Sequence, residues 1–214
     1  MTLLEPDVSL TDLGLALECT GFVVWLFRRR AAEGPFWRWF VLFFAATGFA
    51  AFLGAISHGF VPDTRSTLSQ ILWLGIFAAV GMAALSCWAI GSGLLFSDRT
   101  TRRLLSAVLV VFGIFLIEFI RSDRSFFVVI LNYLPAAIFL LIALVIAYRA
   151  RREAYLRAGI WGVVLTFVAA FVQQNGIGVH KVYFNHNALY HAVQAVALYL
   201  IFIAALGITR QKMP

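Results

Sequence analysis

Seven long apolar runs constrain the fold of this chain more than any other feature of its sequence. About 20 mostly apolar residues are needed for a helix to cross a hydrocarbon core of roughly 30 Å. None of the runs shows the alternation of apolar and polar residues that a membrane β-barrel requires. We therefore predict an all-α, polytopic membrane protein with seven transmembrane helices in a single domain, residues 1–214. The runs lie approximately at residues 10–27, 37–60, 69–96, 104–120, 126–148, 155–175 and 187–208.

The composition agrees with a membrane protein. Hydrophobic residues make up 62% of the chain and charged residues 13%, whereas soluble globular chains are roughly 45–50% apolar and about 25% charged. This composition excludes water-soluble enzymes, nucleic-acid-binding proteins and disordered chains as descriptions of the whole protein. We expect membrane lipid as the partner, no nucleic acid, and an integral location in the bacterial inner (cytoplasmic) membrane. The oligomeric state is not specified by the sequence.

The basic residues orient the chain. Of the 17 lysines and arginines, all but four lie in the connections after the first, third and fifth runs or in the C-terminal tail. Because cytoplasmic loops are enriched in basic residues, we predict the N-terminus outside and the C-terminus in the cytoplasm. The acidic N-terminal segment lacks the basic region of a signal peptide, so we expect the first run to be retained. The four exceptions are Arg65, Arg121, Arg124 and Lys181.

Polar side chains within the runs concentrate in the predicted outer half of the membrane. Polar and ionisable groups are costly in a bilayer, and each is therefore a candidate functional residue. The alternative is that single amides act as contacts between helices, worth about 0.6–2 kcal/mol each. Cys19 and Cys87 lie at different depths, so we expect no disulfide. The candidate pocket residues are Gln70, Asn132, Gln174, Asn187 and Gln194.

The histidines suggest a metal centre. Asn187, His191 and Gln194 share one face of the seventh helix, while His186 and His191 are about 140° apart around the helix axis. His186 could reach the same ion as His191 only at or before the first turn, with Asn185 or Asn187 as the N-cap. Imidazoles with a carboxylate or water are typical zinc ligands. We predict zinc (Zn²⁺) bound by His58, His186 and His191.

A zinc ion with an open coordination position lowers the pKa of its bound water to roughly 7 and so supplies a nucleophile. Glu18 and Ser57 are the candidate catalytic residues, and Asp12 is an alternative partner or general base. Two other interpretations remain open. The histidines could form a structural network joining the first, second and seventh helices, or two of them could ligate a haem, although no Cys-x-x-Cys-His motif is present.

The layout resembles the superfamily of alkaline ceramidases, adipoQ receptors and related seven-helix membrane hydrolases. The resemblance rests on Glu18 in the first helix, Ser57 and His58 late in the second, and His191 in the seventh. It implies zinc held by three histidines and cleavage of a lipid amide, with His58 and His191 as ligands and Glu18 as the helix-one acid. The motifs differ in detail: Asn187 replaces a family histidine, Ser57 and His58 are adjacent rather than three apart, and the helix-three aspartate has no counterpart.

Two functions follow as predictions. The first is a metal-dependent, zinc-containing hydrolase that acts on a lipid amide or ester from the outer leaflet. The alternative is a non-catalytic, receptor-like protein that binds a lipid or small molecule and uses its histidines as a structural network. A carrier or proton pathway is disfavoured, because the polar residues stop near mid-depth and leave no continuous polar route across the inner half.

Overall fold

The computed structural model describes residues 3–29, 36–63, 65–121, 126–181 and 183–210. Within these ranges the chain forms seven α-helices, each long and apolar enough to span a membrane, and no β-strand. The predicted number and type of elements are thus confirmed, and they indicate an integral membrane protein. The orientation stays a prediction, and Arg30, Arg124 and Lys212, which contributed to it, lie outside the described residues. The helices are α1 Pro6–Arg29, α2 Trp37–Phe60, α3 Thr67–Leu95, α4 Asp98–Arg121, α5 Phe126–Arg151, α6 Ala154–Gln174 and α7 His186–Thr209.

The helices extend beyond the apolar runs where their ends are polar. The prediction placed the start of the fourth run at residue 104, whereas α4 begins at Asp98. Its first two turns are charged and polar, so an apolar count does not detect them. α1 begins at Pro6, where a missing N–H costs nothing because the first amides of a helix have no partner. A hydropathy pattern thus marks the membrane-buried part of a helix and underestimates its length.

Six of the helices form a ring, and α4 lies outside it. In the part of the chain that the structure describes, the neighbours around the ring are α1, α2, α3, α5, α6 and α7, with α7 closing onto α1. α4 packs mainly on α3, and Phe119 is its buried residue. The Phe119 ring stacks on Phe77 of α3 with centroids 4.2 Å apart. Most of α4 is therefore left for lipid to cover.

An aromatic cluster holds α1, α2 and α7 together at mid-length. Phe22 of α1 stacks on Phe202 of α7 with ring centroids 4.2 Å apart, and it meets Phe44 of α2 edge-on at 5.1 Å. α6 also packs closely on α7, because a Cβ atom on Gly162 would lie 2.8 Å from the carbonyl oxygen of Ala197. Close helix contact at small residues is typical of membrane bundles, where packing rather than the hydrophobic effect drives association.

The segment that leads into α1 is bound to the end of α2. The backbone N–H groups of Leu4 and Glu5 donate to the carbonyl oxygens of Gly59 and His58, at 3.1 and 3.2 Å. One turn into α1, the hydroxyl of Ser9 donates to the carbonyl oxygen of α2 residue 55 at 2.9 Å. These contacts lie at the end of the bundle where α1 and α7 start and α2 and α6 finish, here called the N-terminal end. They fix the start of α1 against the end of α2, which carries part of the candidate site described below.

Candidate functional site

A cavity of about 310 Å³ opens at the N-terminal end of the bundle. This volume lies at the lower end of the range for small-molecule sites, which is roughly 300–1,000 Å³. We call it the end cavity. Four helices contribute to its wall. The described residues that line it supply two imidazoles, three carboxamides and one indole, with no carboxylate, lysine or arginine among them. The lining residues are His58, Trp73, Gln173, Gln174, His186 and Asn187.

His58 is held in the cavity wall by Glu5. The Nδ1 atom of His58 lies 2.7 Å from Oε2 of Glu5, in addition to the backbone hydrogen bond between the same two residues. An ionised carboxylate only accepts hydrogen bonds, so Nδ1 carries the proton and donates it. Nε2 is then the ring nitrogen of His58 that Glu5 does not engage. In a neutral ring this nitrogen is a hydrogen-bond acceptor.

The first turn of α7 forms the opposite wall, and its position is fixed by three contacts. Asn185 is the N-cap, since its Oδ1 accepts from the backbone N–H groups of Asn187, at 2.8 Å, and of the following residue. The backbone N–H of Asn185 in turn donates to Oδ2 of Asp7 at 3.0 Å. The amide of Gln173 on α6 donates to Oδ1 of Asn187 at 3.2 Å. These bonds hold His186 and Asn187 at the cavity, and of the two candidate N-caps, Asn185 and Asn187, Asn185 is the one that caps α7.

A buried acid–imidazole pair links α1 to α7. Nε2 of His191 lies 3.2 Å from Oδ1 of Asp12, and the two side chains are only 9% and 7% exposed. Nδ1 of His191 lies 3.0 Å from the hydroxyl of Thr11. That hydroxyl also lies 2.8 Å from a backbone carbonyl oxygen one turn earlier, and which of these contacts uses its proton depends on the tautomer of the ring. In either tautomer both ring nitrogens of His191 are engaged by protein atoms.

The same geometry allows the pair to be buried. Polar groups are tolerated in a protein interior when they are hydrogen-bonded, and both ring nitrogens of His191 and Oδ1 of Asp12 have protein partners. Gly54 of α2 makes room for the pair, since a Cβ atom there would lie 2.7 Å from Oδ2 of Asp12.

The structure brings some of the predicted site residues together and separates others. His58, His186, Gln174 and Asn187 line the end cavity, whereas His191 makes its contacts with Asp12 and Thr11. Among the described residues, no group of three or more His, Cys, Asp or Glu side chains is placed to hold a metal ion. Because both nitrogens of His191 already have protein partners, these residues do not fit the predicted three-histidine zinc site.

The remaining predicted residues lie elsewhere in the structure. Gln194 donates to the hydroxyl of Thr166 at 3.4 Å and so links α7 to α6, and Gln70 donates to the backbone of Arg65 in the α2–α3 connection at 3.2 Å. Ser57 is half-buried near the end of α2. Among the predicted site residues, three have a buried side-chain atom without a hydrogen-bond partner in the described part of the chain: Oε2 of Glu18, Nδ2 of Asn132 and Oε1 of Gln194.

Five residues of the site were not among the sequence-based candidates. Gln173, next to the predicted Gln174, lines the end cavity. Glu5, Asp7 and Thr11 lie near the N-terminus and each contact a residue at the edge of the site or at the start of α7. The signal for Glu5 and Asp7 in the sequence was the acidic character of the segment before the first apolar run. Trp73 of α3 could not be predicted in this way, because an indole inside an apolar run is equally typical of a core residue and of a lipid-facing residue.

The polar contacts of the site join α1, α2, α6 and α7, a set that includes the three helices named by the structural-network interpretation. Residues 8–210 of the chain match the model of DUF6962, a family of unknown function. This chain belongs to the DUF6962 family. The match covers every helix of this DUF6962 protein except the first residues of α1, so the family assignment applies to the whole bundle. No curated protein and no solved structure matches the chain.

Proposed function

We propose that this protein is a receptor-like membrane protein that binds a small polar ligand in the end cavity and uses its buried histidine as a structural element. One observation carries the proposal: two imidazoles and three carboxamides from separate helices converge on a single cavity of about 310 Å³. Ligand sites commonly combine a concave shape with a few convergent polar groups. The bonds from Glu5 and Asp7 preform this wall, which reduces the ordering cost of binding.

The lining chemistry selects a class of ligand. Carboxamides and imidazoles offer both donors and acceptors, and the lining contains no carboxylate, lysine or arginine to balance a full charge. Gln173 and Asn187 share one hydrogen bond, which uses one amide nitrogen and one amide oxygen. In either orientation of the two amide groups, this bond does not use the other oxygen and the other nitrogen. These features favour an uncharged hydrogen-bonding molecule or head group. The small volume favours a head group or metabolite over a complete lipid.

The metal-dependent hydrolase stays a prediction. Its support is that His58 and His186 line the same cavity. Its difficulty is that the third expected ligand, His191, already uses both ring nitrogens within the protein. Elemental analysis of the purified protein tests it. About one zinc ion per chain, lost in both His58→Ala and His186→Ala, would replace our proposal with the hydrolase hypothesis and make lipid amide and ester screens the next step.

Ligand binding is tested by thermal unfolding of the protein in nanodiscs with a panel of polar probes: glycerol, inositol, glucose, phosphoethanolamine and glycerol 3-phosphate. A bound probe at 100 times its Kd stabilises the folded state by about 2.7 kcal/mol. Gln174→Trp fills the cavity from an exposed position whose side chain forms no described hydrogen bond. Phe171→Trp is the matched control, because it changes an exposed aromatic residue in the last turn of the same helix.

The proposal expects an uncharged probe to raise the unfolding temperature of the wild type and of Phe171→Trp but not of Gln174→Trp. A charged probe that binds more tightly would correct the ligand class and keep the site. Stabilisation that is equal in all three proteins would place binding outside the end cavity and contradict the proposal.

A further inference from the structure

The connection between α6 and α7 exposes apolar side chains at the N-terminal end of the bundle. We call residues 176–181, 183 and 184 the α6–α7 hairpin. Tyr183 is 78% exposed, Val179 is 73% exposed and Ile177 is 46% exposed. Connections between helices usually present polar side chains to water, and clustered exposed apolar groups mark surfaces that contact something else.

Hydrogen bonds and ring stacking within the hairpin fix the exposed positions of these side chains. His180 and Phe184 exchange backbone hydrogen bonds of 3.0 and 3.1 Å. The backbone N–H of Tyr183 donates to Nδ1 of His180 at 3.1 Å, and the two rings stack with centroids 4.8 Å apart. A Cβ atom on Gly178 would lie 2.9 Å from the backbone nitrogen of His186, so the hairpin packs closely against the start of α7. Val179 and Tyr183 are thus held outward by a defined backbone.

The hairpin follows a helix, α6, that also exposes apolar side chains. Trp161, Val168 and Phe171 are exposed on α6, and their spacing of seven and three residues places them on one helix face. Because α6 is long and apolar enough to span a membrane, this face is covered by lipid. The α2–α3 connection at the same end of the bundle differs, since Asp63 and Arg65 are its exposed charged residues.

We propose that the α6–α7 hairpin inserts into the interfacial layer of the bilayer at the N-terminal end of the bundle. Its occupant is lipid, at the boundary between head groups and acyl chains. Tyrosine suits this layer because its ring is apolar and its hydroxyl can bond water or head groups. Lys181 is exposed in the same hairpin and supplies a cation for lipid phosphates.

The insertion has a structural consequence. The hairpin is flanked in sequence by Gln174 on one side and His186 on the other, and both line the end cavity. Anchoring the hairpin therefore positions the end cavity close to the level of the lipid head groups. This placement does not depend on what the cavity binds, and the test below uses no cavity ligand.

The depth of the hairpin is measured in nanodiscs with variants that each carry one introduced cysteine, labelled with the environment-sensitive dye NBD. Val179→Cys and Tyr183→Cys report on the hairpin, and Arg65→Cys in the α2–α3 connection is the matched control. The native Cys19 and Cys87 are free and buried, so labelling of the wild-type protein measures their background. Quenching is compared between aqueous iodide and lipids with a nitroxide near the head group or near the chain end.

The proposal expects blue-shifted NBD emission at positions 179 and 183, with loss of fluorescence to the shallow lipid quencher and little loss to iodide. The label at position 65 is expected to show the reverse. Strong iodide quenching at positions 179 and 183 would show that the hairpin is in water and overturn the proposal. Protection from both iodide and lipid quenchers would show that protein, such as a second copy of the chain, covers the hairpin, and would overturn it equally.

Discussion

Nε2 of His191 lies 3.2 Å from the carboxyl oxygen of Asp12, which joins α7 to α1 inside the bundle. The other ring nitrogen meets the hydroxyl of Thr11 at 3.0 Å. A metal ligand needs one ring nitrogen free for the ion, and a general base needs one free for a substrate proton. This imidazole has neither in the described structure. Its contacts are those of a structural group that fixes the relative position of two helices.

Replacement of Asp12 by alanine tests this structural role. The variant leaves Nε2 of His191 buried without its partner, and an orphaned buried polar group costs about 1–3 kcal/mol. We expect Asp12→Ala to lower the free energy of unfolding by that amount in a detergent-unfolding titration. Glu118→Ala is the control, because Glu118 is a carboxylate on the exposed face of α4, where surface substitutions usually change stability by about 0.5 kcal/mol or less. Equal stability of the two variants would show that the pair of Asp12 and His191 does not contribute to the free energy of unfolding.

Gly54 provides the space that the Asp12 carboxyl group occupies. A methyl group at position 54 would lie 2.7 Å from Oδ2 of Asp12 and would push α1 away from α2. We expect Gly54→Ala to destabilise the protein by about 1–3 kcal/mol, the usual cost of overpacking. Gly14→Ala is the matched control, since that glycine of α1 is exposed with no atom within 4 Å of an added Cβ, and we expect a neutral effect or a gain of up to about 1 kcal/mol. Similar unfolding curves for both variants would contradict this packing.

Asn185 caps the helix turn that carries His186 and Asn187. Its loss leaves backbone N–H groups of α7 without their acceptor, which costs about 0.5–2 kcal/mol. We expect Asn185→Ala to accelerate hydrogen exchange at residues 187–190, measured by mass spectrometry in nanodiscs. Ser66→Ala removes the N-cap of α3 and should leave exchange at the start of α7 unchanged. If both variants left exchange at residues 187–190 at the wild-type rate, the cap would not hold the cavity wall.

The sequence predicted the helices because length and apolarity are local properties of each run. It could not predict that α4 packs outside the ring of six helices. An exposed apolar residue such as Ile114 contributes to the hydropathy pattern in the same way as a buried one such as Phe119. The zinc prediction stays untested, and the contacts of His191 could not be predicted from the sequence for a related reason. The partners of His191 come from α1, and the distance between two helices 180 residues apart is set by packing at Gly54 and Phe22, not by any spacing along the chain.

The candidate cavity was predicted in part. His58, His186, Gln174 and Asn187 were singled out because polar groups are rare within apolar runs, and all four line it. Gln194 and His191 share a helix face, yet Gln194 bonds Thr166 of α6 whereas His191 bonds Asp12 of α1. Helix periodicity gives the direction of a side chain from its own axis. It does not give which neighbouring helix lies in that direction.

Native mass spectrometry of the protein released from nanodiscs tests ligand binding in the end cavity most directly, because it detects a co-purified molecule without prior choice of a probe. The account predicts an additional small-molecule mass on the wild type and on Phe171→Trp that is absent from Gln174→Trp. A folded wild type that carries no added mass, and gains none when incubated with polar cell extract, would contradict the claim that the cavity is a ligand site.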